Sequence, residues 1–252
     1  MALTRTQEEV VSDTVALVTG ATRGIGRQVA ADLAARGFTV VVSGRDAAAA
    51  LATAAELSDR GEVRALGLGL DVADVRAVAA VPAAVRDVTG RLDVLVNNAA
   101  AFVDWTEVAS AADLDVAREV MDTNLFGAWR MVQALLPMLR ESPHPRVVNV
   151  SSGGGSHGDE QFGLTRRGGA AASYGISKAA LNALTATLAA ELPGTGVLVN
   201  AVCPGLTATW PGAEQMGARP VEEGAASVVA AVVLPDGGPS GAFLRDGHPI
   251  PW

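Results

Sequence analysis

A tyrosine and a lysine four residues apart, in Tyr174-Gly-Ile-Ser-Lys178, form the pair in this sequence best suited to acid–base work. They lie near the start of a helical pattern. Residues i and i+4 share a helix face, so the phenol and the ammonium can point into one space. A tyrosine with its ordinary pKa near 10 is a poor proton donor or acceptor at neutral pH. A nearby ammonium stabilises phenolate and is expected to lower that pKa, which tunes Tyr174 for proton transfer. Tyr174 is the only tyrosine in the chain. The same spacing also reads as an ordinary, partly buried helix pair. Ser152 follows an apolar run, and its hydroxyl can hold a carbonyl oxygen. Asn124 sits in a long helical pattern, where a buried amide can bind a water bridging to Lys178. Either residue also reads as a helix cap or an internal hydrogen bond.

A second constellation suits phosphate. In Thr19-Gly-Ala-Thr-Arg-Gly-Ile-Gly26, glycines at 20, 24 and 26 join a short apolar run to a helical pattern, with Thr22, Arg23 and Ile25 between them. Such a turn lets the backbone approach a pyrophosphate, and the helix start offers free N–H groups and the positive end of its dipole. The spacing is G-x-x-x-G-x-G rather than G-x-G-x-x-G. A plain strand–helix connection is the alternative. The next apolar run ends Val42-Ser-Gly-Arg45. An acidic residue at that point favours NAD, whereas an arginine accommodates the 2′-phosphate of NADP. Arg23 and Arg45 together would clamp a phosphate, so NADP(H) is the expected cofactor. Asp46 follows and reads as a helix N-cap. Asp71 can accept a hydrogen bond from an adenine amino group or cap the next helix.

The elements that carry these residues alternate. Strand-like runs occur at 14–19, 38–42, 63–70, 92–96, 146–150 and 197–202, with a tail strand beginning at Phe243. Helical patterns fill 24–34, with Gly37 as its C-cap, then 47–57, broken by Asp59, Arg60 and Gly61, and 75–88, closed by Gly90. Others cover 114–139, 170–191 and 222–234. About seven strands alternating with helices predict an α/β fold. The strands are continuous apolar runs, as a parallel sheet covered on both faces requires. No linker or repeat divides the chain, so one domain over 1–252 is expected. Two Gly/Pro-rich stretches, 153–169 and 205–220, follow strand ends, the edge where ligands bind in open α/β sheets.

Composition excludes other classes. Hydrophobic residues are 49% and charged residues 18%, which is incompatible with disorder. The net charge of −8 gives no footprint for nucleic acid. No apolar run reaches the length of about 18 residues needed to span a membrane, and residues 1–13 lack the apolar core of a signal peptide. One cysteine fits a reducing compartment, so a cytoplasmic location is expected. The three histidines show no metal-ligand spacing, and no metal is expected. Cys203, before Pro204-Gly205, reads as a buried small side chain.

Taken in order, TGATRGIG, LDVLVNNAA, TNLFG, VVNVSS, YGISK and CPG resemble the short-chain dehydrogenase/reductase superfamily. The segments 42–46 and 241–252 resemble its carbonyl-reductase-like, NADPH-using branch. The resemblance implies a Rossmann-type doubly wound sheet and assigns roles. Tyr174 would be the general acid and Lys178 the ribose-binding partner that tunes it. Ser152 would orient the substrate carbonyl, with Ser151 as the fallback, and Asn124 would hold a relay water. Asn98 would sit beside the cofactor and Thr209 would contact its carboxamide. Val72, Ala99, Pro204, Gly205 and Thr207 would complete the cofactor's path. The chain departs from the pattern twice. Ala100 stands where the family usually has glycine, slightly crowding the backbone near the cofactor. Ser152 and Tyr174 are 22 residues apart, longer than the common gap, which makes 153–169 an inserted loop, too glycine-rich to read as helical.

The expected activity is NADPH-dependent reduction of a hydrophobic ketone or aldehyde. Trp105, Phe162 and Trp210 are candidates to line an apolar pocket under a short lid at 205–220. Arg166-Arg167 reads as a greeting for an anionic substrate or as a solvated pair. The competing readings are an NAD-linked alcohol dehydrogenase working oxidatively and a non-catalytic NADP(H) sensor on the same fold. Family members commonly pair through the helices carrying Asn124 and Tyr174, which makes a homo-oligomer one open alternative, with the inserted loop standing against it.

Overall fold

Alternate residues of each apolar run face opposite sides of one sheet. Val15 and Leu17 pack with Val41, Leu95, Val147 and Val199 on one side. Ala16 and Val18 pack with Val40, Val42, Val94, Val96 and Val148 on the other. Both faces therefore need covering, which is why the runs are apolar throughout rather than alternating with polar residues. The structure, a computed structural model, describes residues 14–59 and 64–252. The reading of the N-terminal stretch 1–13, the break at Arg60 and Gly61 and the strand start at Val63 lie outside the described residues.

The strands are β1 Val15–Val18, β2 Thr39–Gly44, β3 Ala65–Gly69, β4 Val94–Asn97, β5 Arg146–Val150, β6 Leu198–Val202, β7 Phe243–Arg245 and β8 His248–Pro249. They form one sheet in the order β3-β2-β1-β4-β5-β6-β7-β8. Every pairing is parallel except that of β8, which folds back antiparallel on β7. The sequence reading of about seven strands falls short by this one. β8 is only a two-residue return, too short to show a periodic signal. β1 lies between β2 and β4, so the order reverses there, and a crevice opens outside the carboxyl ends of the strands.

The helices are α1 Gly24–Ala34, α2 Ala47–Ser58, α3 Val75–Thr89, α4 Leu114–Met121, α5 Ala128–Leu139, α6 Ala172–Glu191 and α7 Val221–Val232. α1, α2 and α7 supply apolar side chains to one core layer, and α3, α5 and α6 to the other. Gly37, with φ 86°, closes α1: its N–H bonds the Ala34 carbonyl while that of Phe38 bonds Leu33. Asp46 caps α2, its carboxylate accepting from Ala48 and Ala49. The single long helix read over 114–139 is three pieces. A π-helical segment, Asp122–Gly127, separates α4 from α5. Apolar spacing carries through that segment, so periodicity alone does not reveal the extra residue in the turn. Stretch 153–169 holds no α-helix and only two short 3-10 turns, at Gly153–Gly155 and Arg167–Gly169. No helix among the described residues is long and apolar enough to cross a membrane.

α2 carries the residues after β2 and packs tightly on β3. A Cβ at Gly67 would stand 2.6 Å from both Cα and N of Leu51. Gly67→Val is therefore expected to force α2 off β3 and to cost about 1–3 kcal/mol in unfolding free energy. Denaturant unfolding that gives wild-type stability would show the contact to be slack.

Candidate active site

Five of the chain's ten aromatic residues line one cavity of about 200 Å³ at the carboxyl edge of the sheet. They are Phe102, Trp105, Phe162, Tyr174 and Trp210. Phe102 stacks on Tyr174 with ring centroids 5.2 Å apart and planes at 18°. Trp105 meets the Tyr174 ring edge-on at 5.7 Å and stacks with Trp210 at 6.0 Å. Asn98, Ser152, Lys178 and Thr209 line the same cavity. Phe102 and Met216 also line it and escaped the sequence reading. Phe102 lies three residues before Trp105 in the loop just beyond the end of β4, and that placement was the available signal.

Tyr174 stands in the first turn of α6, and Lys178 one turn on. The Lys178 ammonium donates to the Val150 carbonyl at 2.8 Å and lies 5.7 Å from the centre of the Tyr174 ring. It is the only lysine in the chain, and it is buried. Burial, which disfavours the charged form, brings its pKa down to about 8. The expected lowering of the Tyr174 pKa is not what the structure gives. Burial raises it above 10, outweighing the Ser152 hydroxyl, which lowers it, and the nearby Cys203 sulfur raises it further. The phenol is consequently protonated at neutral pH, the form that a proton donor needs.

Ser152 is the serine that lines the cavity and caps a 3-10 turn by accepting from Gly154. Ser151 lines it too, but its hydroxyl donates to Asn182 at 2.5 Å, leaving it committed. Asn124 lies inside the π-helical segment, fully buried. Its Nδ2 donates to Ser177 Oγ at 2.9 Å and to the Ala101 carbonyl, and its Oδ1 accepts from the Ala101 N–H. A chain of side chains, Asn97 to Asn149 at 2.9 Å and Asn149 to Thr185 at 2.9 Å, ties β4 and β5 to α6 behind the site.

At the glycine turn, Asn98 Nδ2 donates to the carbonyls of Thr19 and Gly20, and Thr19 Oγ1 accepts from the N–H groups of Asn98 and Ala99. A Cβ at Gly26 would stand 2.5 Å from the Gly20 carbonyl, and a Cβ at Gly24 would stand 3.3 Å from Thr209 Cγ2. Ile25 lines the cavity, and Thr22 sits against Gly44. Arg23 is the N-cap residue of α1 and makes no side-chain cap, and the first turn holds no acidic residue. Arg23 and Arg45 are both exposed. Asp71 accepts from Ala73, while Asp74 caps α3, so capping that helix is not the task of Asp71. Val72 is buried against Gly127. Thr207 donates to the Pro204 and Gly205 carbonyls, and its hydroxyl is spent in that turn. Arg219 bonds the Pro204 carbonyl at 2.8 Å and Asp246 at 2.8 Å, tying 205–220 to the β7–β8 turn. Cys203 is buried, and its sulfur accepts from the N–H groups of Gly153 and Gly205. No His, Cys, Asp or Glu cluster suited to a metal occurs among the described residues.

The family model described as short chain dehydrogenase matches residues 14–216. A protein of Saponaria officinalis, short-chain dehydrogenase/reductase 1, is 32% identical, with 94% of this chain and 95% of its own covered. A 3-oxoacyl-(acyl-carrier-protein) reductase of Vibrio harveyi is 34% identical, with 77% and 74% covered. Among solved structures, salutaridine reductase from Papaver somniferum superposes with a TM-score of 0.75 at 28% identity, covering 91% of this chain and 99% of its own. The chain belongs to the short-chain dehydrogenase/reductase family, on its reductase side. That family of oxidoreductases uses NAD(P)(H) nicotinamide cofactors. The residues present fit such a group. The glycines let the turn at Gly20–Gly26 close tightly against Asn98 and Ala99, and the N-terminus of α1 has no side chain capping it, leaving its N–H groups free for an anion.

The Lys178 charge is held against its burial, so its removal is testable without turnover. Lys178→Met is expected to raise unfolding free energy by about 1–2 kcal/mol at pH 7, the desolvation relief less one lost hydrogen bond. The lowered pKa means that the unfolded chain binds this proton more tightly than the fold from pH 8 to 10.5. Wild-type stability from this group therefore rises with pH through that window, and the variant's advantage fades toward pH 10. A variant less stable than wild type at pH 7 would overturn this account.

Proposed function

We propose that this protein is an NADPH-dependent reductase of ketones or aldehydes, with Tyr174 as the proton donor. The observation that carries this reading is the meeting of a half-buried phenol with a raised pKa, Ser152 and the buried Lys178 in one aromatic cavity at the sheet's carboxyl edge. The names of the Vibrio harveyi and Papaver somniferum reductases support the direction of reaction. Gly20, Gly24, Gly26, Asn98, Ala99 and Thr209 would hold the cofactor, with Asp71 toward its adenine. Bound there, the reduced nicotinamide supplies a hydride to the carbonyl carbon. Ser152 donates a hydrogen bond to the carbonyl oxygen and fixes it beside Tyr174. The Tyr174 Oη–H gives that oxygen its proton as the C=O bond becomes C–OH, and solvent restores the phenol. The Lys178 ammonium stabilises the phenolate left behind, an interaction strengthened by the dry surroundings. Asn124, through Ser177, keeps the π-helical segment registered against α6.

The choice of NADPH rests on Arg23 and Arg45. Both are exposed beside the expected 2′ position and make no ion pair among the described residues. Arg45→Ala is expected to weaken NADPH binding at least tenfold and NADH binding less than twofold, by fluorescence titration. Equal losses would sink the 2′-phosphate assignment. Tyr174→Phe is expected to lower kcat by about 10²–10⁴ on an aryl ketone while NADPH affinity stays within a few fold. Retained turnover would place the acid elsewhere.

A further inference from the structure

The reductase reading leaves the substrate open, and the lining of the cavity narrows it. Arg166 and Arg167 line the cavity together with Phe162 and Leu164. Both are exposed, and neither side chain makes a hydrogen bond or ion pair among the described residues. By contrast, Arg245, on the strand behind that loop, is paired with Asp159 and lies over the Phe162 ring at 5.3 Å. Of the two carboxylates in stretch 153–169, Asp159 is thus already neutralised, while Glu160 is exposed and does not line the cavity. The cavity lining contains Lys178, Arg166 and Arg167 as cations, and no aspartate or glutamate at all. In a chain whose net charge is −8, that local balance is opposite in sign to the whole molecule. Field lines from unpaired cations at a low-dielectric mouth favour entry of anions.

Shape adds the second constraint. Phe102 and Trp105 both meet the ring of Tyr174 and each other, and Trp210 stacks on Trp105. An aromatic wall of this kind suits a flat ring by edge or face contact and by apolar burial. We propose that the substrate is an aryl ketone or aldehyde that also carries a carboxylate. Its carbonyl lies at Ser152 and Tyr174, its ring lies against Phe102 and Trp105, and its carboxylate is met by the Arg166–Arg167 pair. The proposal deepens the reductase reading and rests on it for the reaction. Arg23 and Arg45 do not line this cavity, so the two arginine pairs serve different anions.

The test compares 4-acetylbenzoate and 3-(4-acetylphenyl)propanoate with their methyl esters. The aromatic wall is the same for each pair, and only the charge differs. Binding to the NADPH-loaded protein is followed by tryptophan fluorescence, and turnover is followed separately by NADPH consumption. At least one free acid is expected to bind tenfold or more tightly than its ester. The preference is expected to shrink toward twofold in Arg166→Gln/Arg167→Gln, and to weaken between 20 and 500 mM KCl, because the pair is exposed and screened. In turnover the double variant is expected to raise KM for the acid with kcat and ester kinetics unchanged. Ester binding equal to that of both acids in the wild type, or an acid preference that survives the double variant, overturns the proposal. Charge-selective binding without any turnover would support the anion site and overturn the reductase reading, so the two fail separately.

Discussion

The ammonium of Lys178 has been taken out of water and given one carbonyl, that of Val150, as its hydrogen-bond partner. A buried charge is tolerated only where its surroundings are fixed, and the elements around it are fixed by close contact. A Cβ at Gly155 would stand 2.5 Å from the Lys178 carbonyl carbon, so the run Gly153–Gly155 lets α6 pass against the end of β5. Ser151 to Asn182 and Asn149 to Thr185 pin the same helix to the same strand. Gly155 is thus accounted for by that packing contact, and Gly153 by the closeness of Asp159, Arg245 and Phe162. The phenol is placed as a consequence, since it lies one turn before the lysine on a helix with no freedom to rotate.

The far half of that stretch is pinned from behind. Ser156 donates to the Pro251 carbonyl at 2.7 Å, the N–H groups of His157 and Gly158 bond the Trp252 carbonyl, and Trp252 stacks on Phe243 at 5.4 Å. Asp159 accepts from Arg245 on β7. Phe162 and Leu164 therefore form a wall backed by the last strands of the sheet, while Arg166 and Arg167 project beyond that backing. One side of the cavity is built to stay still, and its outer lip is exposed to solvent.

Much of this was legible in the residues. Strands buried on two faces leave an unbroken apolar record, and Asp46, Gly37 and Gly90 announced their helix ends through ordinary capping chemistry. The π-helical segment was invisible because Asp122–Gly127 keeps the apolar spacing of its neighbours. β8 did leave a sign that went unused. Asp246 and Gly247, with φ of 53° and 77°, form the two-residue hairpin turn that Asp-Gly favours. The direction of the Tyr174 shift was not readable, because spacing shows that an ammonium is near but not how much water both groups have lost. Phe102 lay in plain sight, yet its stack on Tyr174 depends on a loop path that no local pattern encodes.

The presence of a single lysine has a consequence outside the chemistry of the site. All other side-chain positive charge in this molecule is guanidinium, and the one ε-amino group lies at the floor of the cavity. Reagents that couple to primary amines, whether fixatives, surface-immobilising esters or acetylating enzymes, meet an exterior with no ε-amine to attack. Any lysine modification that does occur has a single address, and a small molecule occupying the cavity would shield it.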